Sequence, residues 1–183
     1  VIPCGGSIKG RSAVWTGRYL VATWVDPSGV RYIGRSRAEG NAEQVAADLC
    51  ASRQQILTGF KHTQDPSVWH LAWNAELKQL GFAFENMSQG EPDPEDTLDI
   101  FLARYTEALV SLGVTNLTNN QQSSGIPRLT AADEEWGVTF LASLAGNQDI
   151  AFLRVNGEGQ LVDPPGLVQV SEDGPEDYSK RSP

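Results

Sequence analysis

The 183-residue chain is poor in cysteine, histidine, methionine and long apolar runs. A membrane-spanning helix needs about 20 apolar residues, and the runs here are only a few residues long, so we expect a soluble protein that does not enter a membrane. Two cysteines cannot form a disulfide framework or a cysteine-rich zinc site. The nucleophile elbow of serine hydrolases, the phosphate-binding P-loop and the dinucleotide-binding glycine motif are also missing. The sequence therefore indicates no cofactor, and it leaves both a cytoplasmic and a secreted location open.

Basic residues are scarce as well, and they are unevenly placed. Residues 1–37 hold six basic residues and one acidic residue, whereas residues 38–183 hold eight basic and 22 acidic ones, and the net charge is −9. An acidic body disfavours general binding to duplex nucleic acid, because phosphate contacts need a basic face. It favours a protein partner, in particular a basic one, and leaves room for a local anion site in the basic segment.

Turn signals predict two β-hairpins. β-branched and aromatic residues flank a turn sequence at residues 26–29, and a second turn pair, Asn156-Gly157, lies between two short apolar segments. Apolar residues at three- and four-residue intervals predict about four helices, at residues 41–59, 66–80, 95–112 and 130–144.

The order of these elements predicts an α+β fold without an internal repeat. We expect one antiparallel sheet, built from the N-terminal and C-terminal hairpins, packed against the helices. Residues 1–170 are predicted to form a single globular domain, and residues 171–183 a disordered acidic and polar tail.

The segment from Arg31 to Glu43 is the most informative stretch for function. Arg31, Arg35 and Arg37 lie on a predicted strand end and on the loop before a predicted helix. A helix start offers unpaired N–H groups, arginine offers a planar fork for phosphate or carboxylate, and glycine lets a ligand approach the backbone. We therefore predict an anion site at these arginines and Gly40. The alternative is that the arginines are solvated or pair with the protein's own acids.

Residues 19–49 resemble toxin-type members of the deaminase superfamily, in which a β-hairpin leads through a Gly- and Ser-containing loop into a helix that opens with His-Ala-Glu. Here the helix opens with Asn41-Ala42-Glu43. The resemblance implies that Glu43 stands at the proton-shuttling glutamate and Asn41 at the first zinc ligand, so both are candidate catalytic residues. Asparagine is a poor zinc ligand, and the family's Pro-Cys-x-x-Cys element is absent, so no metal is expected.

Other constellations of reactive residues remain open. A zinc site could be assembled from Cys4, Cys50, His62 and His70, although their spacing matches no common zinc pattern. Cys4 could act as a nucleophile if the fold brings one of the histidines beside it. The two cysteines could instead form one disulfide.

Three classes of function are compatible with these observations. The favoured one is a small acidic protein-interaction domain, of the inhibitor, immunity or effector type, that acts through its surface. The alternative is a protein directed at a nucleotide, or at a base of single-stranded nucleic acid, on a divergent deaminase-like scaffold with an arginine-rich anion site. The third is an enzyme with a carboxylate or cysteine mechanism.

Overall fold

The computed structural model describes residue 4 and residues 9–26, 30–56, 69–87, 98–119, 123–144, 147–162 and 168–170. Within these ranges the chain forms twelve β-strands and one helix. The strands make three four-stranded antiparallel sheets that follow one another along the sequence. No helix in the described ranges is long and apolar enough to cross a membrane. The predicted tail, residues 171–183, lies outside them.

The three sheets share one topology, with strands in sequence order and each neighbouring pair antiparallel. The first sheet contains β1 (Lys9–Trp15), β2 (Leu20–Val25), β3 (Arg31–Ser36) and β4 (Gln54–Gln55), with helix α1 (Ala42–Ala51) between β3 and β4. The second contains β5 (Trp69–Asn74), β6 (Gln79–Met87), β7 (Leu98–Thr106) and β8 (Ser111–Asn116). The third contains β9 (Ser124–Ala132), β10 (Glu135–Leu144), β11 (Asn147–Asn156) and β12 (Val168–Gln169).

Both predicted hairpins and the start of the first predicted helix are confirmed. β2 and β3 pair as a hairpin around the first turn, although residues 27–29 lie outside the described part. At the second turn the N–H of Asn156 donates to the carbonyl of Gln160, and Val155 bridges to Leu161. Asn41 caps α1, because its side-chain oxygen accepts a hydrogen bond from the N–H of Gln44 at 2.9 Å.

The prediction of an α+β fold with about four helices is wrong, because α1 is the only helix among the described residues. The other three predicted helices fall on strands β5 to β10. The second sheet explains the error, since seven consecutive residues of β7 are buried. A strand covered on both faces is apolar throughout, so it satisfies three- and four-residue spacing as readily as two-residue spacing.

A deaminase-like scaffold is wrong for the same reason. Residues 19–49 do form a hairpin followed by a helix, but they belong to a four-stranded antiparallel sheet. Two further sheets of the same topology follow where helices were expected.

The pairing register reveals an internal repeat that the sequence analysis missed. The second strands align as residues 20–24, 80–84 and 136–140, with the sequences Leu-Val-Ala-Thr-Trp, Leu-Gly-Phe-Ala-Phe and Trp-Gly-Val-Thr-Phe. The third strands align at Arg31, Ile100 and Ile150, and the carbonyl of each accepts a backbone hydrogen bond of 2.8 Å from the end of its fourth strand. Residues at the same register position are called equivalent below.

The sheets pack face to face in series. One apolar core fills the first junction, between the first and second sheets, and another fills the second junction, between the second and third sheets. The first strands lie side by side, β1 against β5 and β5 against β9. Four-stranded antiparallel sheets that radiate from adjacent first strands are the blades of a β-propeller.

Helix α1 covers the outer face of the first sheet. Leu49 packs against Ala22 and Trp24, and the helix backbone lies so close to Gly34 that a Cβ atom there would collide with the carbonyl of Leu49. Cys50, in the last turn of α1, forms a disulfide with Cys4, with a Cα–Cα distance of 5.8 Å. The array therefore has a covered end at its first sheet.

Candidate functional site

The predicted anion-site residues lie in different surroundings. Arg31 is buried in the first junction, with its guanidinium carbon 5.4 Å from the ring centre of Trp69 and 5.9 Å from that of Phe84. Burial lowers the pKa of Arg31, and the Glu85 carboxylate opposes that shift. Arg31 therefore packs between two sheets instead of facing the loop before α1.

Arg35 faces the same junction from the other end of β3. Its Nη1 donates to the backbone carbonyl of Glu107 at 2.9 Å, and its guanidinium carbon lies 4.7 Å from the ring centre of Tyr19. Arg35 lies four positions after Arg31 on the strand, and at about 3.3 Å for each position the two residues are about 13 Å apart. Arg37 is exposed beyond the end of β3. The structure therefore does not gather the three arginines around one point.

The candidate catalytic residues lie at the exposed start of α1. Asn41 is the N-cap, and Glu43 is the acidic residue of the first turn. Gly40, just before the cap, has a φ of 88°, a backbone conformation that favours glycine. These three residues are brought together, but on the outer side of the first sheet and away from both junctions.

The disulfide removes two of the reactive constellations. Cys4 and Cys50 carry no free thiol, so neither can act as a nucleophile or a thiolate ligand while they are paired. His70 lies at the second junction, where its Nδ1 accepts a hydrogen bond from the N–H of Leu129 at 3.3 Å. Burial lowers the pKa of His70. His62 lies outside the described residues, and no group of three metal-ligating side chains occurs within them.

A repeated arginine contact joins successive sheets. Arg35, Arg104 and Arg154 are equivalent, because they pair with Val21, Gly81 and Gly137 in the three second strands. Arg35 donates to the carbonyl of Glu107, in the turn that follows the third strand of the second sheet. Arg104 donates in the same way to the carbonyl of Gly157, which holds the corresponding place in the third sheet.

Arg154, the third member of this series, has a different partner. Its Nε and Nη2 donate to the carboxylate of Glu135 at 2.9 Å and 3.0 Å, and both side chains are partly exposed. Arg154 lies on the outer face of the third sheet, which points away from the second sheet. We call this surface the third-sheet face and define it by Leu141, Ile150, Phe152, Arg154 and Val170.

The third-sheet face exposes apolar side chains at positions that are buried elsewhere in the array. Ile150 is 44% exposed, whereas the equivalent Ile100 is fully buried under the third sheet. Val170 is 61% exposed, whereas the equivalent Leu117 is 5% exposed. The third-sheet face is therefore the strongest candidate functional surface among the described residues. The recurrence of Asp-Ile and Arg in β7 and β11 could have pointed to it in the sequence.

Buried polar groups collect at the end of the sheets where the third strands begin. Asp99, fully buried, accepts hydrogen bonds from Asn116 Nδ2 at 2.8 Å and Thr118 Oγ1 at 3.1 Å. These bonds tie the end of β8 to the start of β7. Asp149 is the equivalent residue in the third sheet, and its Oδ1 has no hydrogen-bond partner among the described residues.

Comparisons with known proteins address the fold alone. No protein-family model and no curated protein matches the chain. A subtype N11 neuraminidase-like protein of A/flat-faced bat/Peru/033/2010 (H18N11) is similar in structure, with a TM-score of 0.52, 12% identity, and coverage of 83% of this chain and 36% of that one. A Bombyx mori GH32 beta-fructofuranosidase gives a TM-score of 0.47 at 10% identity over 91% of this chain and 37% of that one. The chain thus spans little over a third of each of these proteins.

Proposed function

We propose that this chain is a protein-interaction domain that binds a protein partner through the third-sheet face. The observation that carries this proposal is the exposure of Ile150 and Val170 at positions whose equivalents are buried. Single exposed apolar residues are normal on a protein surface, but apolar residues that adjoin on one sheet face indicate a contact surface.

The apolar part of the face supplies binding energy, and the net charge of the chain steers association. Full burial of an exposed isoleucine or valine contributes about 1.5–3 kcal/mol, and Ile150 and Val170, 44% and 61% exposed, would contribute about half of that each. The chain carries a net charge of −9, so a partner with a basic rim is attracted at long range. Association should therefore slow at high salt, while the complex, once formed, depends mainly on the apolar contacts.

Affinity capture with matched variants tests this function. The immobilised chain is exposed to an extract of the cells that produce it, and the captured proteins are compared among the wild type, Val170→Glu and Val110→Glu. Val110 is a suitable control because it is 59% exposed but lies in the connection between β7 and β8. We expect Val170→Glu to lose proteins that Val110→Glu retains. An identical set from both variants would contradict a role for the third-sheet face.

A further inference from the structure

We infer that the partner of the third-sheet face is a further four-stranded sheet of this same repeat, packed as the third sheet packs on the second. The inference rests on the proposed function, since it names the kind of partner that the face binds. Three independent observations support it.

The first observation is that the third-sheet face reproduces the covered face of the second sheet. Gly81 illustrates the match, because a Cβ atom there would lie 2.8 Å from Trp136 of the third sheet, so only glycine lets that ring approach. The equivalent residue of the third sheet is again glycine, Gly137, where a Cβ atom would lie 3.0 Å from Phe152 and Thr130 of the same sheet. The other equivalent pairs are Ala83 and Thr139, Ile100 and Ile150, Leu102 and Phe152, and Leu117 and Val170, whereas Leu141 takes the place of the buried Glu85.

The second observation is the arginine series. At both existing junctions an arginine of one sheet donates to a turn carbonyl of the next sheet. Arg154 continues the series at the third sheet, where its ion pair with Glu135 is open to solvent. A sheet of the same repeat would offer Arg154 the same carbonyl, in the turn after its own third strand.

The third observation concerns the other possible occupants. The longest stretch outside the described residues is residues 171–183, whereas the second sheet alone spans residues 69–116, so a further sheet of this length is not found among these 183 residues. A second copy cannot offer the outer face of its first sheet, because α1 covers it. The occupant that we infer is a repeat sheet other than the three described, packed next to the third sheet.

A lengthened chain tests this inference with the chain's own repeat as the probe. Because Leu117 and Val170 are equivalent, a copy of residues 118–170 inserted directly after Val170 places a fourth sheet in register. Ile150→Cys reports on the face, since the two native cysteines are paired with each other. We expect maleimide to label this cysteine more slowly in the lengthened chain, by a factor of about ten or more. A factor of ten corresponds to a free-energy preference of about 1.4 kcal/mol for the docked over the undocked fourth sheet.

Val110→Cys is the matched control and should react equally fast in both chains. If the first copy does not fold, a copy of residues 57–117 after Val170 provides a second probe, because Ile56 is the equivalent residue of the first sheet. Unchanged labelling at position 150 with both probes would overturn the inference.

Light scattering of the 183-residue chain supplies the remaining outcome. A dimer that dissociates in the Ile150→Glu variant would show that a second copy covers the face, and this would also overturn the inference. Either negative result is distinct from failure of the proposed function, which is judged by whether Val170→Glu loses captured proteins.

Discussion

The repeat predicts that two isoleucines at equivalent positions differ greatly in their contribution to stability. Ile100 and Ile150 both lie at the second position of Asp-Ile in a third strand, but among the described residues a neighbouring sheet covers Ile100 and none covers Ile150. Truncation of a fully buried isoleucine to alanine costs about 2–5 kcal/mol, from lost transfer energy and the cavity that remains. Ile150→Ala removes a side chain that is 44% exposed and leaves no closed cavity, so it should cost at most about 1 kcal/mol.

Urea unfolding, followed by the tryptophan fluorescence to which the buried Trp136 contributes, measures both variants on one scale. In thermal unfolding the same difference appears as a fall in Tm of about 2–4 °C for each kcal/mol. Ile100→Val, which should cost about 0.5–1.5 kcal/mol, replaces the alanine variant if that protein does not fold. Equal losses for Ile100→Ala and Ile150→Ala would refute the assignment of Ile150 to an uncovered face.

Three further predictions follow from the packing. The methyl group added by Gly81→Ala would lie 2.8 Å from third-sheet side chains, so this variant should lower the unfolding free energy by about 1–3 kcal/mol. Gly137→Ala should lower it less, and equal urea midpoints for the two variants would contradict the prediction. Reduction of the Cys4–Cys50 disulfide, whose sequence separation is 46, should cost roughly 4 kcal/mol. Dithiothreitol should therefore lower the Tm of the wild type and leave the Tm of a Cys4→Ser, Cys50→Ser variant unchanged. A wild-type Tm that does not change with dithiothreitol would refute the prediction. Burial raises the pKa of Tyr105 to about 12, above its value of about 10 in the unfolded chain. The stabilisation that this difference provides is therefore fully present below pH 10, and about 2–3 kcal/mol of the unfolding free energy is lost as the pH rises to 12. Tyr105→Phe should be free of that loss in unfolding titrations, and parallel curves for the two proteins would argue against it.

Local signals in the sequence were sufficient where the structure depends on near neighbours. The first hairpin follows from its turn residues and β-branched strands, and Asn41 caps α1 as its position predicts. In both cases the interactions that stabilise the element lie within a few residues of it. The secondary structure of residues 20–51 could therefore be predicted largely correctly, apart from the end of the helix.

Periodicity failed where a strand lies between two other sheets. In β7, Phe101 and Ala103 face the first junction, while Ile100 and Leu102 face the second. Both faces are apolar, so the two-residue alternation that marks a half-exposed strand is absent. Without that alternation, helix and strand cannot be distinguished by spacing alone, and the burial of both faces became known only from the packing of the sheets.

The same limitation affected the candidate site. Arg31 and Arg35 are close in sequence to Arg37, which suggested one anion site, but only the first two lie within β3, where alternate residues share one face, and Arg37 lies beyond the end of that strand. Arg31 and Arg35 therefore both point into the first junction, where they contact the second sheet. The third-sheet face was beyond prediction for a related reason, since whether Ile150 is buried depends on a neighbouring sheet and not on its own strand.

The two ends of the array differ in a way that bears on function. At the first sheet, α1 covers the outer face, so that sheet has packed neighbours on both sides. At the third sheet, the outer face carries apolar side chains at positions equivalent to those of a covered face, yet Ile150 is 44% and Val170 61% exposed. In arrays whose repeats contact only their neighbours, each junction adds its own share of stability. A partner bound to the third-sheet face would therefore add a junction without disturbing the two that exist, and it would stabilise the third sheet.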